Sequence, residues 1–183
     1  NTLVVISSDN GPMIKEGYKD GALENMNGHD PYGGLRGQKY SLYEAGTRVP
    51  FIFSWPERIR KPIVQKECFT YLDMLSTFAG LLELPIAPEE ANDSKDASDL
   101  FLKRDAGPYR EYVMIQNNGG QIAIRKDNWK FIPATQNRGA ELYDLDRDPS
   151  ELHDLTNAYP EKVTQLQKYV ERDYKKNVNK QTK

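Results

Sequence analysis

Two residues with oxygen-bearing side chains, Asp9 and Asn10, directly follow a short apolar run near the start of the chain. In open parallel sheets, ligands bind beyond the carboxyl ends of the strands. A carboxylate beside an amide oxygen at such a place suits a hard divalent cation such as Ca²⁺ or Mg²⁺. The same pair, followed by Gly11, is also typical of an Asx turn, and on these residues alone the turn is the better interpretation.

A lysine and an acid–base pair lie further along the chain. Lys39 follows a glycine-rich segment, where its ammonium group could act as a point charge on an oxyanion. Glu44 and Arg48 are four residues apart, and an ion pair between them would shape the bend into a second apolar run. Taken singly, Lys39 and Arg48 are better interpreted as ordinary surface cations.

Two strands and a long loop must position these residues. The apolar, β-branched run 3–6 predicts a buried strand of the parallel kind. Residues 11–41 are rich in Gly, Asn and Asp, which predicts a loop, and loops of this length in compact domains are usually functional or disordered. The run 49–55 predicts a second buried strand, with Pro50 near its start, where a missing N–H is tolerated.

A helix is predicted after the second strand. Thr70 and Asp73 have the spacing of a capping box, in which side chains satisfy N–H groups of the first helical turn. Apolar residues follow at helical spacing, at positions 71, 72, 75, 78, 79 and 82. The polar, acidic segment 89–99 then predicts an exposed linker.

The last part of the chain has a different character. Four short β-rich runs with turn sequences between the first three predict an antiparallel meander, over 112–116, 121–126, 129–133 and 141–145. Pro160 fits the first turn of a final helix, because the missing N–H costs little there. Val163, Leu166 and Val170 follow the helical period.

The predicted elements divide the chain into three parts. Residues 1–105 are expected to form part of an α/β layer that includes the loop 11–41. Residues 108–176 are expected to form an α+β subdomain, a small four-stranded antiparallel sheet with one packed helix. Residues 177–183 are expected to be a polar tail. Because the chain opens almost inside an apolar run and without Met, we expect a C-terminal part of a longer protein.

Composition excludes several classes of protein. The 183 residues include 25 Lys and Arg against 27 Asp and Glu, which gives a net charge of −2. A dedicated nucleic-acid-binding protein would show a basic excess. No apolar run approaches the roughly 20 residues that a membrane-spanning helix needs. The single cysteine, Cys68, excludes an internal disulfide framework.

In combination, the motifs resemble a known family. An apolar strand that ends in Ser-Asp-Asn-Gly at 8–11 is followed, after a long loop, by Gly-x-Lys-x-x-x-Tyr-Glu-Ala-Gly-x-Arg-Val-Pro-Phe-Ile at 37–52. This order closely resembles the formylglycine-dependent sulfatases of the alkaline-phosphatase superfamily. The segments 124–132 and 141–151 resemble the family as well, so the resemblance covers about residues 1–172. Ala45 departs from it, because the family usually has a second glycine there; alanine requires a negative φ.

The resemblance implies an alkaline-phosphatase-like α/β fold and a role for three residues. Asp9 and Asn10 match the family's second pair of ligands for Ca²⁺ or another divalent cation. Lys39 matches the lysine that holds the sulfate oxygens, so it is both a catalytic and a substrate-binding candidate. In the family, a hydrated formylglycine made from Cys or Ser attacks sulfur, while the metal and cations stabilise charge on the transferring group.

The same resemblance places other catalytic groups outside these 183 residues. The first aspartate pair, the nucleophile and the acid–base histidines belong to the family's N-terminal part, so we expect little activity from this chain alone. The segment 54–58, Ser-Trp-Pro-Glu-Arg, imitates the nucleophile motif Cys/Ser-x-Pro-x-Arg. We reject it because it follows Lys39 and lacks the Thr-Gly continuation. His29, in the long loop, is a weaker candidate for substrate contact, and a solvated loop histidine is the simpler interpretation.

The sequence therefore predicts the C-terminal segment of a sulfatase, a sulfuric ester hydrolase. Its expected partners are a sulfate-ester substrate, with a carbohydrate as one candidate, and the N-terminal part of the same protein, without nucleic acid or a membrane span. The family's habit favours a periplasmic, secreted or lysosomal location. Two alternatives stay open. One is a phosphonate or phosphodiester hydrolase of the same superfamily, and the other is a non-catalytic homologue that acts as a binding module.

Overall fold

The first apolar run forms strand β1, Val4–Ser7, which pairs antiparallel with β2, Phe51–Ser54. Within the residues that this computed structural model describes, namely the backbone of 1–181 and the side chains of 1–173, β1 pairs with β2 alone. The observed pairing is thus antiparallel where a parallel strand was expected, and burial of β1 by segments outside residues 1–183 stays a prediction. An antiparallel pair can leave one face open, and the side chain of Ile6 is 57% exposed.

The other face of this small sheet packs against aromatic rings. Phe53 stacks on Phe101 with ring centroids 4.3 Å apart, and Phe51 lies 4.9 Å from Phe69. Phe101 belongs to the short helix α3, Ser98–Leu102. Alternation along β2 thus directs its two phenylalanines towards these rings and leaves Ile52 on the exposed side.

Helix α2, Met74–Leu81, follows a 3₁₀ turn at Tyr71–Asp73. The expected capping box is wrong, because neither Thr70 nor Asp73 makes a side-chain cap bond. Instead Asp73 is fully buried, where its carboxylate pairs with Arg110 and accepts hydrogen bonds from the Tyr109 hydroxyl at 2.6 Å and the Lys95 N–H at 2.7 Å. The buried face therefore carries polar residues, while members of the apolar stripe such as Leu72, Leu75 and Leu82 are exposed.

The four-stranded antiparallel meander is confirmed, with strands in the order β3-β4-β5-β6. Their bounds are β3 Val113–Gln116, β4 Ile122–Lys126, β5 Trp129–Ile132 and β6 Glu141–Asp144. Helix α4, Pro160–Gln181, lies against β4 and β5 and buries Leu166 and Val170. The predicted polar tail is thus helical as far as Gln181, and residues 182–183 lie outside the described part of the chain.

The long loop is largely irregular, as predicted. Within residues 11–41 its regular element is a 3₁₀ turn at Glu24–Met26, and the single-turn helix α1, Glu44–Thr47, follows the loop. Leu42, directly after the loop, joins the buried core of the meander. Among the described residues, no helix is long and apolar enough to cross a membrane.

Contacts along the chain divide it into two units. The first unit comprises residues 1–7 and 50–113, and the second comprises residues 8–49 and 114–183. This division differs from the boundary expected near residues 105–108. The loop groups with the C-terminal sheet because its side chains supply core and hydrogen-bonding partners to that sheet. The candidate residues Asp9, Asn10, His29 and Lys39 all belong to the second unit.

Candidate functional site

Asp9 and Asn10 follow β1 directly in the chain, as the sequence predicts. Asp9 is exposed, and its Oδ1 lies 3.4 Å from the Ser8 hydroxyl, which donates to it. Asn10 is half-buried, and its Nδ2 donates to the Gly11 carbonyl at 2.9 Å. This bond uses the amide nitrogen and leaves the side-chain oxygen of Asn10 available as an acceptor.

Gly11 brings this segment against α1. Its N–H donates to the Gly46 carbonyl at 3.1 Å, and a Cβ at position 11 would lie 1.6 Å from the Ala45 carbonyl oxygen. Only glycine permits this approach of two backbones. A Cβ at Gly46 would in turn lie 2.5 Å from the Gln38 carbonyl oxygen. Three segments, around residues 11, 38 and 46, therefore meet through their backbones at two glycines.

Lys39 lies in the third of these segments. Its N–H donates to the Pro12 carbonyl at 3.0 Å, which fixes its backbone beside the Asp9–Asn10 segment. Its Nζ donates to Glu16 Oε1 at 2.7 Å. This hydrogen bond raises the pKa of Lys39 and outweighs the opposite effect of burial. Lys39 is therefore a protonated cation at neutral pH.

An ion cluster connects α1 to the four-stranded sheet. It consists of Glu44, Lys130, Glu151, Arg48 and Arg125. Lys130 Nζ lies 3.1 Å from Glu44 Oε1 and 2.9 Å from Glu151 Oε1. Arg48 and Arg125 each place a guanidinium nitrogen 3.6 Å from Glu44 Oε2. The three central residues are at most 2% exposed.

The sequence predicts only one ion pair of this cluster. The predicted Glu44–Arg48 pair is confirmed, whereas Lys130 and Glu151 were not predicted as partners of Glu44. A lysine between Trp129 and Phe131 in a buried strand was the available signal, since a charged side chain rarely enters a core without a partner. The expectation for Ala45 holds, because this residue lies in α1 and not among the residues with positive φ.

Glu151 occupies a strained position in the turn after β6. Its φ is +55°, in the left-handed region, and its Oε2 accepts the N–H of Glu44 at 2.6 Å. Burial raises the pKa of Glu151, although the charge of Lys130 acts in the opposite direction. Asp148 stabilises the turn by accepting the N–H groups of Leu152 at 2.8 Å and His153 at 2.7 Å.

Arg36 adds a second link between the loop and the sheet. Its Nη1 donates to the Tyr143 hydroxyl at 3.0 Å and to the Glu151 carbonyl at 2.9 Å. The guanidinium carbon lies 3.9 Å from the ring centre of Tyr43, within the range of a cation–π contact. The carbonyl of Arg36 accepts the N–H of Ala45 at 2.9 Å, so α1 is held from both sides.

The remaining sequence candidates lie apart from this arrangement. His29 is exposed, and its N–H donates to the Met26 carbonyl at 2.7 Å. No hydrogen bond or ion pair within residues 1–173 joins it to Lys39, so substrate contact by His29 stays a prediction. In the segment 54–58, the guanidinium of Arg58 lies over the Trp55 ring and donates to the Leu81 carbonyl at 3.3 Å. These contacts give that segment a structural role.

The fit to a cation follows from the donors present. The side chains of Asp9 and Asn10 could offer two oxygen ligands, whereas Ca²⁺ takes six to eight. Within the described residues, no group of three or more His, Cys, Asp or Glu is arranged to hold a metal ion. The pair therefore fits part of a larger ligand set and not a complete site.

Comparison with known proteins shows the family. The model of the family described as N-sulphoglucosamine sulphohydrolase, C-terminal, matches residues 37–180. The chain belongs to the sulfatase family. Both the fold class and the match to the family's C-terminal segment, which the sequence predicted, are confirmed.

The relatives are sulfatases with longer chains. The N-acetylgalactosamine-6-O-sulfatase of Bacteroides thetaiotaomicron is 40% identical over 185 residues, which cover 93% of this chain and 36% of that protein. Human arylsulfatase A is 28% identical, over 84% of this chain and 33% of its own length. A solved structure from work on glycosaminoglycan metabolism by B. thetaiotaomicron is 40% identical, with a TM-score of 0.86. The match covers 94% of this chain and 38% of that chain. This sulfatase chain thus spans little more than a third of the length of such relatives.

Proposed function

We propose that the full-length protein hydrolyses a sulfate ester of a carbohydrate, and that this chain supplies Asp9, Asn10 and Lys39 to the site. The observation that carries the proposal is the pair of backbone hydrogen bonds described above. The bond from Lys39 N–H to Pro12 and the bond from Gly11 N–H to Gly46 join the backbone that follows Asp9 and Asn10 to the backbone of Lys39 and of α1. This backbone contact between the two ends of the loop supports a shared site.

Each residue has a distinct task in this proposal. The ammonium group of Lys39 has three donors, so it can keep its bond to Glu16 and still bind a sulfate oxygen. There it stabilises negative charge that develops on the transferring group. Asp9 and Asn10 each offer one oxygen to a divalent cation. When bound, that cation supplies Lewis-acid stabilisation of the sulfate. The nucleophile and the remaining ligands come from outside residues 1–183.

The substrate class follows from the relatives and is part of the proposal. Because a relative at 40% identity is an N-acetylgalactosamine-6-O-sulfatase, the 6-sulfate of N-acetylgalactosamine is the first substrate to test. We also predict that the protein is exported to a periplasmic, extracellular or lysosomal compartment, because sulfated polysaccharides occur there.

The test compares Lys39→Ala with Lys103→Ala in the full-length protein. Lys103 forms an exposed i,i+4 pair with Asp99 and serves as the matched control. Loss of a charge-stabilising donor is expected to lower kcat/KM on the sulfated sugar by roughly 10²–10³-fold, and the control is expected to leave it unchanged. Equal activities of the two variants would contradict the role of Lys39.

A substrate panel separates the alternatives. The unmutated protein is assayed on the sulfated sugar, an aryl sulfate, a phosphodiester and a phosphonate ester. Faster turnover of the phosphorus esters would favour the phosphoryl hydrolase. A folded protein that turns over none of the four compounds would favour the binding module.

A further inference from the structure

We propose that Glu44, Lys130 and Glu151 are positioning residues that hold Lys39 and the Asp9–Asn10 segment in the geometry needed for sulfate-ester hydrolysis. The inference rests on the proposed function and adds to it three residues that touch no substrate. They lie in three different elements, namely helix α1, strand β5 and the turn after β6.

The cluster has little freedom of arrangement. Lys130 is fully buried and has one carboxylate on each side, at 3.1 Å and 2.9 Å. Glu151 also accepts the backbone N–H of Glu44 at 2.6 Å, so one carboxylate contacts both the side chain of β5 and the main chain of α1. Hydrogen bonds to charged groups are stronger than neutral ones, so these contacts restrict where α1 can lie against the sheet.

Main-chain hydrogen bonds connect α1 to the candidate site. The carbonyl of Gly46, in α1, accepts the N–H of Gly11, next to Asn10. Pro12, one residue further, accepts the N–H of Lys39. The contact at Gly11 leaves no room for adjustment, because a Cβ there would lie 1.6 Å from the Ala45 carbonyl oxygen. A shift of α1 must therefore move both candidate segments.

The presence of buried charged residues in this cluster is better explained by the geometry that they impose than by a gain in stability. Well-packed apolar residues are often as stabilising as a buried ion pair, or more so, whereas removal of one partner leaves an uncompensated charge. Lys130 lies within 3.1 Å of two buried carboxylates, and Arg48 and Arg125 lie 3.6 Å from one of them. A buried lysine between two carboxylates requires these particular side chains to meet, whereas an apolar contact tolerates more than one arrangement.

The experiment uses Glu151→Gln, Lys130→Met and the double variant in the full-length protein. Glutamine keeps an acceptor for the Glu44 N–H and removes only the charge beside Lys130. Tyr109→Phe is the matched control, since it removes one hydrogen bond to a buried carboxylate, Asp73, in the other unit. Two quantities are measured where every variant is folded: amide hydrogen exchange in peptides that cover 9–12 and 37–46, and kcat/KM on the sulfated sugar.

We expect faster exchange in both peptides and a roughly ten- to hundredfold loss of kcat/KM in Lys130→Met, which removes the ion-pair partner of Glu151 and leaves Glu44 with the two arginines. Glu151→Gln is expected to show the same effects to a smaller degree. The double variant, with one charge of each sign removed, is expected to recover part of the loss. Tyr109→Phe is expected to leave both quantities unchanged.

Two results would overturn the inference. Unchanged exchange in Lys130→Met would show that the cluster does not hold the two segments. Faster exchange with full activity would show that their position does not matter to the reaction. An unmutated protein without activity on any sulfate ester would instead overturn the proposed function, and the exchange measurement would still decide whether the cluster holds the segments.

Discussion

At the scale of single residues, close contact between two backbones determines which residue can occupy position 11 of this sulfatase chain. The sequence Asp9-Asn10-Gly11 looks like a turn, and the Asn10 amide does bond to the Gly11 carbonyl as in a local turn. The structure gives the glycine a further reason, which is the approach of the Ala45 carbonyl. A residue that would serve many turns equally well is here required by contact with a segment more than thirty positions away.

Gly11→Ala is expected to destabilise the chain by about 1–3 kcal/mol, because the added methyl group forces two backbones apart. Gly139→Ala is the control, since its Cβ would meet open space and its φ is not positive. Urea unfolding at neutral pH measures both variants. Equal midpoints for the two alanine variants would contradict the close approach at Gly11.

Asp148→Asn tests the turn that holds Glu151. Burial alone would raise the pKa of Asp148, but the N–H groups of His153 and Leu152 outweigh it, so its pKa lies below the ordinary value of 3.8. A lowered folded pKa gives stability that is present above the unfolded pKa and is lost as the pH falls through the folded value. The variant should therefore be less stable by about 1 kcal/mol at pH 7.

The difference between Asp148→Asn and the unmutated chain should shrink as the pH falls below about 4, where the carboxylate becomes protonated. Urea unfolding curves recorded at several values between pH 3 and pH 7 give this dependence. A difference that stays constant over the range would show that the charge of Asp148 has no part in stabilising the turn.

Among the elements, the long loop consists of two parts with different constraints. Residues 15–34 contain glycines with positive φ and open surroundings, such as Gly17, Gly28 and Gly33. The segment 36–44, by contrast, is joined to the sheet by Arg36, Leu42 and Glu44. The loop thus ends in an ordered support for Lys39. Earlier in the loop, the Gly34 carbonyl accepts the Ser150 hydroxyl at 2.7 Å, whereas residues 17–33 lack such partners in the described contacts.

Amide hydrogen exchange of this chain should resolve these two parts. We expect rapid exchange over 15–34 and slow exchange over the meander and the first turns of α4. The N–H groups of Lys39, Ala45 and Gly46 should exchange slowly, because each donates to a backbone carbonyl and lies in the segment 36–46, which is joined to the sheet. Uniform exchange over residues 11–46 would contradict this division of the loop.

At the scale of the whole molecule, the proposed catalytic site is only partly supplied by this sulfatase chain. The proposal takes two oxygen donors and one lysine from the ends of one loop, and the chain spans little more than a third of the length of its relatives. Removal of members of a catalytic unit is grossly non-additive, so a partial set has little activity. The 183 residues are therefore expected to hydrolyse no sulfate ester by themselves.

Calcium binding gives a direct measure of this partial site. With two oxygen donors where Ca²⁺ needs six to eight, residues 1–183 should bind Ca²⁺ more weakly than micromolar. Isothermal calorimetry on this chain, with Asp9→Ala as the control, provides the measurement. Micromolar affinity that the control abolishes would show that the chain holds a complete site.

The sequence by itself determined the family, the four-stranded meander, the final helix and the identity of the candidate residues. These follow from local patterns: alternation, helical period, turn residues and motifs in a fixed order. Neighbours in the chain are enough to produce such signals. The Glu44–Arg48 pair was visible for the same reason, since residues four apart on one helical turn are adjacent.

Only the tertiary structure decided the rest. The antiparallel pairing of β1, the polar buried face of α2 and the grouping of the loop with the C-terminal sheet depend on residues that are far apart in sequence. The partners of Glu44 are the clearest case, because Lys130 and Glu151 lie 86 and 107 positions away. A buried charge must be neutralised by whichever opposite charge the fold places beside it, and no local pattern specifies that residue.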